Sequence, residues 1–490
     1  MKAERCHRSN KTIITENIMT EQTDNTQQPD PFKPYRGRFK SYHQIPARGR
    51  DQDAIYSEIE TMANEEKAGW NSGLASGTFY HAGDEHRAFM NKVFSLYSSI
   101  NIIQADLCPS MSKFESEIVA MTASMLNGDR VKQDTPEDEV CGTLTSGGTE
   151  SILMAMKGYR DKARIEKGIE NPEVLLPETA HSAFRKAEEY FGIKMVAVPC
   201  ELPDFRVDPK AVEAAITPNT VAVVGSAGNY PYGLIDPLEA LSEIVLKHEL
   251  WFHIDGCLGG FILPWIEKLG YPLPLFDFRL PGLTSMSADT HKYGYGLKGT
   301  SVILYRNRDF RKYQYFTDPR WPGGTYLSPS ASGSRSGGLT ASMWAAMVNL
   351  GEEGYLKIAG DIMKVADEIK AGIQEIPEFI IIGDPTFVIS FRSEDVDVYH
   401  VNDFMKTRGW RFNVFQFPPA LHFCVTRPQT MVPGIVDQMM TDLKAGIEYA
   451  NAKAGTPSDT SAIYGASGSM EGNQFVTELL HSYLDLFYTV

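Results

Sequence analysis

Lys292 lies in the stretch Ser287-Ala288-Asp289-Thr290-His291-Lys292-Tyr293-Gly294, between an apolar strand-like run and a glycine-rich loop. A lysine held there is a candidate Schiff-base nucleophile toward a carbonyl group, with burial and neighbouring cations expected to lower its pKa from about 10.4. Upstream, Thr143-Leu144-Thr145-Ser146-Gly147-Gly148-Thr149-Glu150-Ser151 leads into the helical pattern Ile152-Leu153-Met154-Ala155-Met156. Its glycines allow close backbone approach, and exposed N–H groups at a helix N-terminus attract an anion, which makes Gly148 and Thr149 candidate phosphate contacts. Asp255 ends the apolar run Trp251-Phe252-His253-Ile254, just before a glycine-rich turn, where a buried carboxylate can hold a ring N–H proton. His181, after Val174-Leu175-Leu176, offers a flat ring for stacking, and His291 stands beside the lysine. Each alone also reads as an ordinary turn, cap or surface residue. In the order phosphate loop, histidine, aspartate, lysine they match the handles of pyridoxal 5'-phosphate: an anionic phosphate, a pyridine nitrogen that stays protonated, a flat ring, and an aldehyde.

The elements that must position these groups alternate between strand and helix. Strand-like runs occur at Val221-Ala222-Val223-Val224, Phe252-His253-Ile254, Leu283-Thr284-Ser285-Met286 and Ser301-Val302-Ile303-Leu304-Tyr305, separated by helical patterns such as Pro237 to His248. That alternation predicts an α/β fold, a mostly parallel sheet with helices on both faces and ligands at the carboxyl ends of the strands. After about Leu350 the pattern changes to a helix, the runs 379–382 and 387–391, a short helix near His400 to Thr407, and strands around Phe412 and His422, a smaller C-terminal α+β domain. The expected organisation is a polar arm over 1–51, a helical segment over 52–120, a large cofactor-binding domain over 121–350, the small domain over 351–451, and a linker with a terminal helix over 452–490, the helix running from about Gln474 to Tyr488.

With 490 residues, 42% of them hydrophobic, the chain can bury a large core. It contains no apolar run long enough to span a membrane, and its polar N-terminus lacks the core of a secretory signal. Six cysteines without paired spacing give no zinc or redox motif and read as reduced thiols; no metal site is expected. The net charge of −15 argues against nucleic acid as a partner. An anionic substrate would therefore need local cations, for which Lys298 and Arg335 are the candidates.

Five phrases carry a family resemblance: Thr145 to Ala155, Cys257-Leu258-Gly259-Gly260-Phe261, Phe276-Asp277-Phe278-Arg279, Ser287 to Tyr295, and Gln416 to Cys424. From about residue 70 to near the C-terminus the chain resembles the fold-type I pyridoxal-phosphate enzymes of the group II decarboxylase-like family, and in its wording the sphingosine-1-phosphate lyase family. The resemblance implies a fold-type I PLP-dependent transferase-like architecture. It implies retro-aldol cleavage of the Cα–Cβ bond of sphingosine 1-phosphate or a related phosphorylated long-chain base, giving a long-chain aldehyde and ethanolamine phosphate. Lys292 would return a proton to Cα; the base for the 3-hydroxyl would be the substrate phosphate, Lys298 or a tyrosine, with Tyr230 the tyrosine placed in the catalytic set.

The same resemblance implies a homodimer whose active sites are shared, the segment 52–120 contributing to it. A tyrosine and an Asn-x-x-His group reach the substrate phosphate in the family; here these positions read Tyr80, Asn101 and Gln104. Glutamine can donate a neutral hydrogen bond but cannot add charge or move a proton. Tyr326, Ser334, Arg335 and Tyr464 complete the implied pocket. Animal members carry a membrane helix before the catalytic region; a chain without one is expected to be cytoplasmic, touching membrane only transiently at its surface. Two alternatives stand beside the lyase: an amino-acid decarboxylase of the same fold, and a non-catalytic binder, against which the intact Thr149, His181, Asp255 and Lys292 set argues.

Overall fold

Short runs of β-branched and aliphatic residues become strands buried on both faces, as expected of a sheet sandwiched between helices. The computed structural model describes residues 33–103, 106–131, 134–461 and 470–490. Seven strands form the main sheet in the order Cys141–Thr145, Ser301–Tyr305, Ser285–Ala288, Trp251–Asp255, Thr220–Ser226, Glu173–Pro177, Lys194–Val198. All neighbours run parallel except Ser301–Tyr305, which is antiparallel to both of its partners. The helices Gly148–Lys162, Ala183–Phe191 and Leu238–Lys247 connect the parallel strands. The expected strand at Leu283 begins two residues later, at Ser285. The preceding Pro281-Gly282 turn closes through Leu283 N–H donating to Leu280 O, which keeps residue 283 out of the ladder.

The helix Gly337–Gln374 carries the chain from the large sheet to a second, four-stranded one. It is interrupted at Gly351, whose φ of 57° an L side chain rarely adopts, so the interruption coincides with the change of sequence pattern near Leu350. The small sheet is antiparallel, ordered Ile380–Ile381, Val388–Arg392, Pro419–Cys424, Asn413–Gln416. Its aromatic core includes Trp410, Phe391 and Phe423, all fully buried. The helix expected near His400 starts earlier, at Val398, because Asp397 caps it by accepting from Tyr399 N–H at 2.8 Å.

Two compact units divide the chain, residues 68–464 and residues 1–67 with 465–490. The second holds most of the helix Gln52–Asn71, whose later turns meet the segment before it, Tyr35 donating to Glu66 Oε1 at 2.7 Å and Arg38 pairing with Glu65. The terminal helix runs from Met470 to Tyr488, starting before the expected Gln474, since one glycine among good helix formers does not stop it. Of the linker expected before it, residues 462–469 lie outside the described residues, as do residues 1–32 of the polar arm. No helix among the described residues is long and apolar enough to cross a membrane.

Candidate active site

The strand Cys141–Thr145 runs through Ser146-Gly147 directly into the helix Gly148–Lys162, whose first-turn amides have no intrahelical acceptor. Gly148 can carry no side chain: a Cβ there would lie 2.7 Å from both carboxylate oxygens of Asp289 and from Cys257 Sγ. With Thr149, His181, His291 and Lys292, these residues line a cavity of about 350 Å³, within the size range of small-molecule sites.

Asp255 ends its strand buried, accepting from Cys257 N–H at 3.0 Å and Ser287 Oγ at 3.3 Å. Burial works to raise its pKa, but the nearby His181 imidazole and the hydrogen bonds from Cys257 outweigh that and hold the carboxyl below its ordinary value. His181 is exposed, and its Nδ1 accepts from Ala183 N–H at 3.1 Å, so the neutral ring carries its proton on Nε2. His291 Nδ1 accepts from Thr300 N–H at 3.3 Å, which likewise leaves Nε2 as the donor, 3.7 Å from Asp289 Oδ2.

Lys292 Nζ lies 3.0 Å from Asp289 Oδ2. Here the sequence expectation is corrected. Burial does work against the ammonium, yet the carboxylate of Asp289 above all, with Asp255 beyond it, outweighs that and the pKa is raised. The amine becomes a nucleophile only after giving up that proton. Asp289 escaped sequence reasoning although it stands three residues before Lys292; the turn closed by Lys292 N–H on Asp289 O brings the two side chains together. Its Oδ1 is buried with no hydrogen-bond partner among the described residues. A glycine cradle with free amides, an open imidazole face and an amine around one cavity, with the buried ionised carboxylate of Asp255 bonded to Cys257 of its lining, fit pyridoxal phosphate.

The other expected residues fall into two neighbouring groups. Asn101 Nδ2 donates to Ser334 Oγ at 3.0 Å, and its Oδ1 accepts from Arg335 N–H at 3.1 Å. Ser334 and Arg335 line a second cavity of about 140 Å³ together with Ser146 and Glu150. The Arg335 guanidinium is already paired with Glu115. Tyr326, in the strand Tyr326–Ser328, packs on Phe316 and Trp321 and lines neither cavity. Tyr80 and Tyr230 line a third, small cavity with His422 and Cys424. Tyr230 stands edge-on to both His181 and His422, while Lys298 Nζ sits 4.6 Å above the Tyr80 ring. Gln104 and Tyr464 lie outside the described residues.

Two buried histidines beside the site, both unused by the sequence reading, make the protein acid-sensitive. Burial pushes His253 and His422 from 6.5 down to about 4. His253 Nδ1 bonds Ser285 Oγ at 2.8 Å, and His422 Nδ1 donates to Pro231 O at 2.8 Å. Each stays neutral in the folded chain while its unfolded counterpart takes a proton as pH falls below 6.5, so each loses stability in that direction. Asp236 works the other way: burial raises its carboxyl to about 7, so the folded chain holds a proton that the unfolded carboxylate lacks. Burial holds His81, His86 and His291 below 6.5 as well, so five histidines against one carboxyl make stability slope downward as pH falls from roughly 6.5 to 5. Chemical denaturation across that window should give this slope, and His422→Asn should flatten it; a wild-type stability independent of pH would contradict the assignment.

A site of this make-up on a fold-type I scaffold defines a pyridoxal-phosphate-dependent enzyme. Residues 40–394 match the pyridoxal-dependent decarboxylase conserved domain. The sphingosine-1-phosphate lyase of Oryza sativa subsp. japonica is 43% identical over 90% of this chain and 81% of that protein. Sphingosine-1-phosphate lyase 1 of Rattus norvegicus is 40% identical over 91% of this chain and 77% of that protein. The solved sphingosine-1-phosphate lyase of Burkholderia pseudomallei superposes with a TM-score of 0.87 at 47% identity, covering 93% of this chain and 99% of that one. Glutamate decarboxylase of Lactobacillus brevis shares the fold, at 20% identity and a TM-score of 0.71 over 86% of this chain and 98% of that one. The chain belongs to the pyridoxal-dependent decarboxylase family and, within it, to the sphingosine-1-phosphate lyases.

Proposed function

We propose that this enzyme cleaves the Cα–Cβ bond of sphingosine 1-phosphate or a related phosphorylated long-chain base, releasing a long-chain aldehyde and ethanolamine phosphate. The observation that carries this reading is the single cavity joining the Gly148 cradle, His181 and Lys292, in a chain aligned with such lyases over 90% of its length. Bound there, pyridoxal phosphate supplies an electron sink for the pair left when the bond breaks. The amides of Gly148 and Thr149 and the Nε2–H of His291 would be the donors for its phosphate. His181 would stack on the ring, Asp255 would keep the ring nitrogen protonated, and Lys292 would hold the carbonyl carbon. Not bonded to the carbonyl carbon, Lys292 would be an ammonium able to return a proton to Cα.

The proton on the 3-hydroxyl needs a base. Lys298 suits the role best: burial and the charge of Lys292 bring its ammonium down from 10.5 to about 8, although part of the side chain reaches solvent. Tyr230 and the substrate phosphate are the other candidates. Since the base must be unprotonated, kcat should rise with pH through about 8. In Lys298→Met that limb should vanish and kcat fall by roughly 10²- to 10⁴-fold. If the limb survives in Lys298→Met and disappears in Tyr230→Phe, the role belongs to the tyrosine.

Ser334 and Arg335 line the cavity adjoining that of Lys292, with Ser146 and Glu150 facing both, and the likeness to the lyase family supports a homodimer with shared active sites. Given a phosphorylated sphingoid base and a panel of amino acids, the purified cytoplasmic enzyme should yield aldehyde and ethanolamine phosphate without carbon dioxide. Carbon dioxide from an amino acid would instead favour the decarboxylase. Gln104→His adds the titratable ring usual in the family, so the rate should rise or stay level; a large fall would mean that Gln104 is matched to a different headgroup.

A further inference from the structure

Glu150 is buried at 7% exposure in the first turn of the helix that forms the phosphate cradle, an unexpected place for a carboxylate next to an anion site. Its two oxygens are used in different directions. Oε2 accepts from Ser146 N–H at 2.6 Å, in the cradle, and Oε1 accepts from Ala331 N–H at 2.8 Å, in the loop that leads to Ser334 and Arg335. The loop has other ties: Gln314 Nε2 donates to Pro329 O and to Thr143 Oγ1, and Asn101 holds Arg335 N–H. Those hold the loop to neighbouring elements, whereas the Glu150 carboxylate bonds the cradle and the loop through one rigid, planar group.

We propose that Glu150 is a positioning residue that couples the two parts of the site, so that filling the cradle with the cofactor phosphate orders the loop 329–335 that presents Ser334 and Arg335. Negative charge on Glu150 would repel the phosphate if it were free; committed to two backbone N–H donors and lying in the first helical turn, it is compensated locally. It also takes the Ser146 amide out of the anion site, leaving the cradle to Gly148 and Thr149. Glutamine in its place keeps the size but turns an NH₂ toward one of the two N–H donors, leaving that donor unpaired.

The proposal rests on the cofactor reading of the site but not on the lyase reaction, and its test does not need turnover. Backbone hydrogen exchange is measured on the full chain with and without pyridoxal phosphate, for wild type, Glu150→Gln and Glu150→Asp. In wild type the cofactor should slow exchange at Ala331 and the amides around it by about tenfold or more. In Glu150→Gln, saturated with cofactor, that slowing should disappear while the cradle amides remain protected, and Glu150→Asp, too short to span both donors, should lie between. With the phosphorylated base as substrate, KM should rise about tenfold in Glu150→Gln with kcat nearly unchanged. Loop exchange indifferent to the cofactor in wild type would overturn the proposal without any variant. So would a Glu150→Gln protein that folds, binds the cofactor and keeps the wild-type slowing. Loss of lyase activity in wild type alone would overturn the proposed reaction and leave the exchange result standing.

Discussion

Lys292→Ala should abolish turnover, a loss on the order of 10⁴-fold or more, as when a nucleophile is removed from an enzyme whose residues act as a unit. The expectation follows from position: Lys292 Nζ reaches the cavity that also holds the cradle and the imidazole of His181. Alanine also strips Asp289 of its partner at 3.0 Å, leaving a buried carboxylate whose other oxygen is already unbonded. The alanine variant should therefore be less stable as well as inactive. Lys292→Arg separates the two effects. Arginine keeps a cation beside Asp289 but is never deprotonated in proteins and cannot take the carbonyl carbon. It should melt near the wild-type temperature and be as inactive as alanine. Appreciable activity in the arginine variant would remove Lys292 from the chemistry.

Asp255→Asn should lower kcat by roughly 10²-fold or more, matching the ~2–5 kcal/mol that goes with breaking a buried hydrogen-bonded charge pair. Asparagine can still accept from Cys257 N–H, so the turn after the strand keeps its shape, but no negative charge remains to hold a proton on the ring nitrogen. Cofactor affinity should fall with the rate, and Asp255→Glu should recover little, because a longer acid does not fit a fully packed strand end. The pH dependence has a definite sign. The folded carboxyl sits below its ordinary value, so its stabilising contribution is complete above about pH 4 and is lost only as pH falls through the lower, folded value. Across the neutral range the ratio of wild-type to Asp255→Asn activity should be constant; a ratio that climbs from pH 6 to 8 would mean that Asp255 is protonated where it should act.

What was legible in the sequence had a local signature. The cradle is a run of glycines between a strand and a helix, Asp255 closes a strand and Lys292 stands in the turn after one, and the alternation of elements gave a mostly parallel sheet. That sheet's one antiparallel strand, Ser301–Tyr305, was not legible, because its apolar pattern carries no direction and its register is fixed by partners 14 to 164 residues away in the chain. Buried ionisable partners were likewise hidden. Glu150 reads as an ordinary acidic residue in a first helical turn, and its bond to Ala331 spans 181 residues. His253 and His422 look like any histidine in a strand until packing removes their water. The direction of the Lys292 shift failed for the same reason: the net field at an amine depends on which acids the fold gathers around it, and Asp289 and Asp255 prevail.

Borohydride reduction of the purified enzyme with bound cofactor, followed by peptide mapping, tests the cofactor-bearing lysine directly. The phosphopyridoxyl mass should appear on the peptide containing Lys292 and be absent from Lys292→Ala. Finding it on Lys298, or on no lysine, would contradict the assignment of Lys292 as the residue through which this site works.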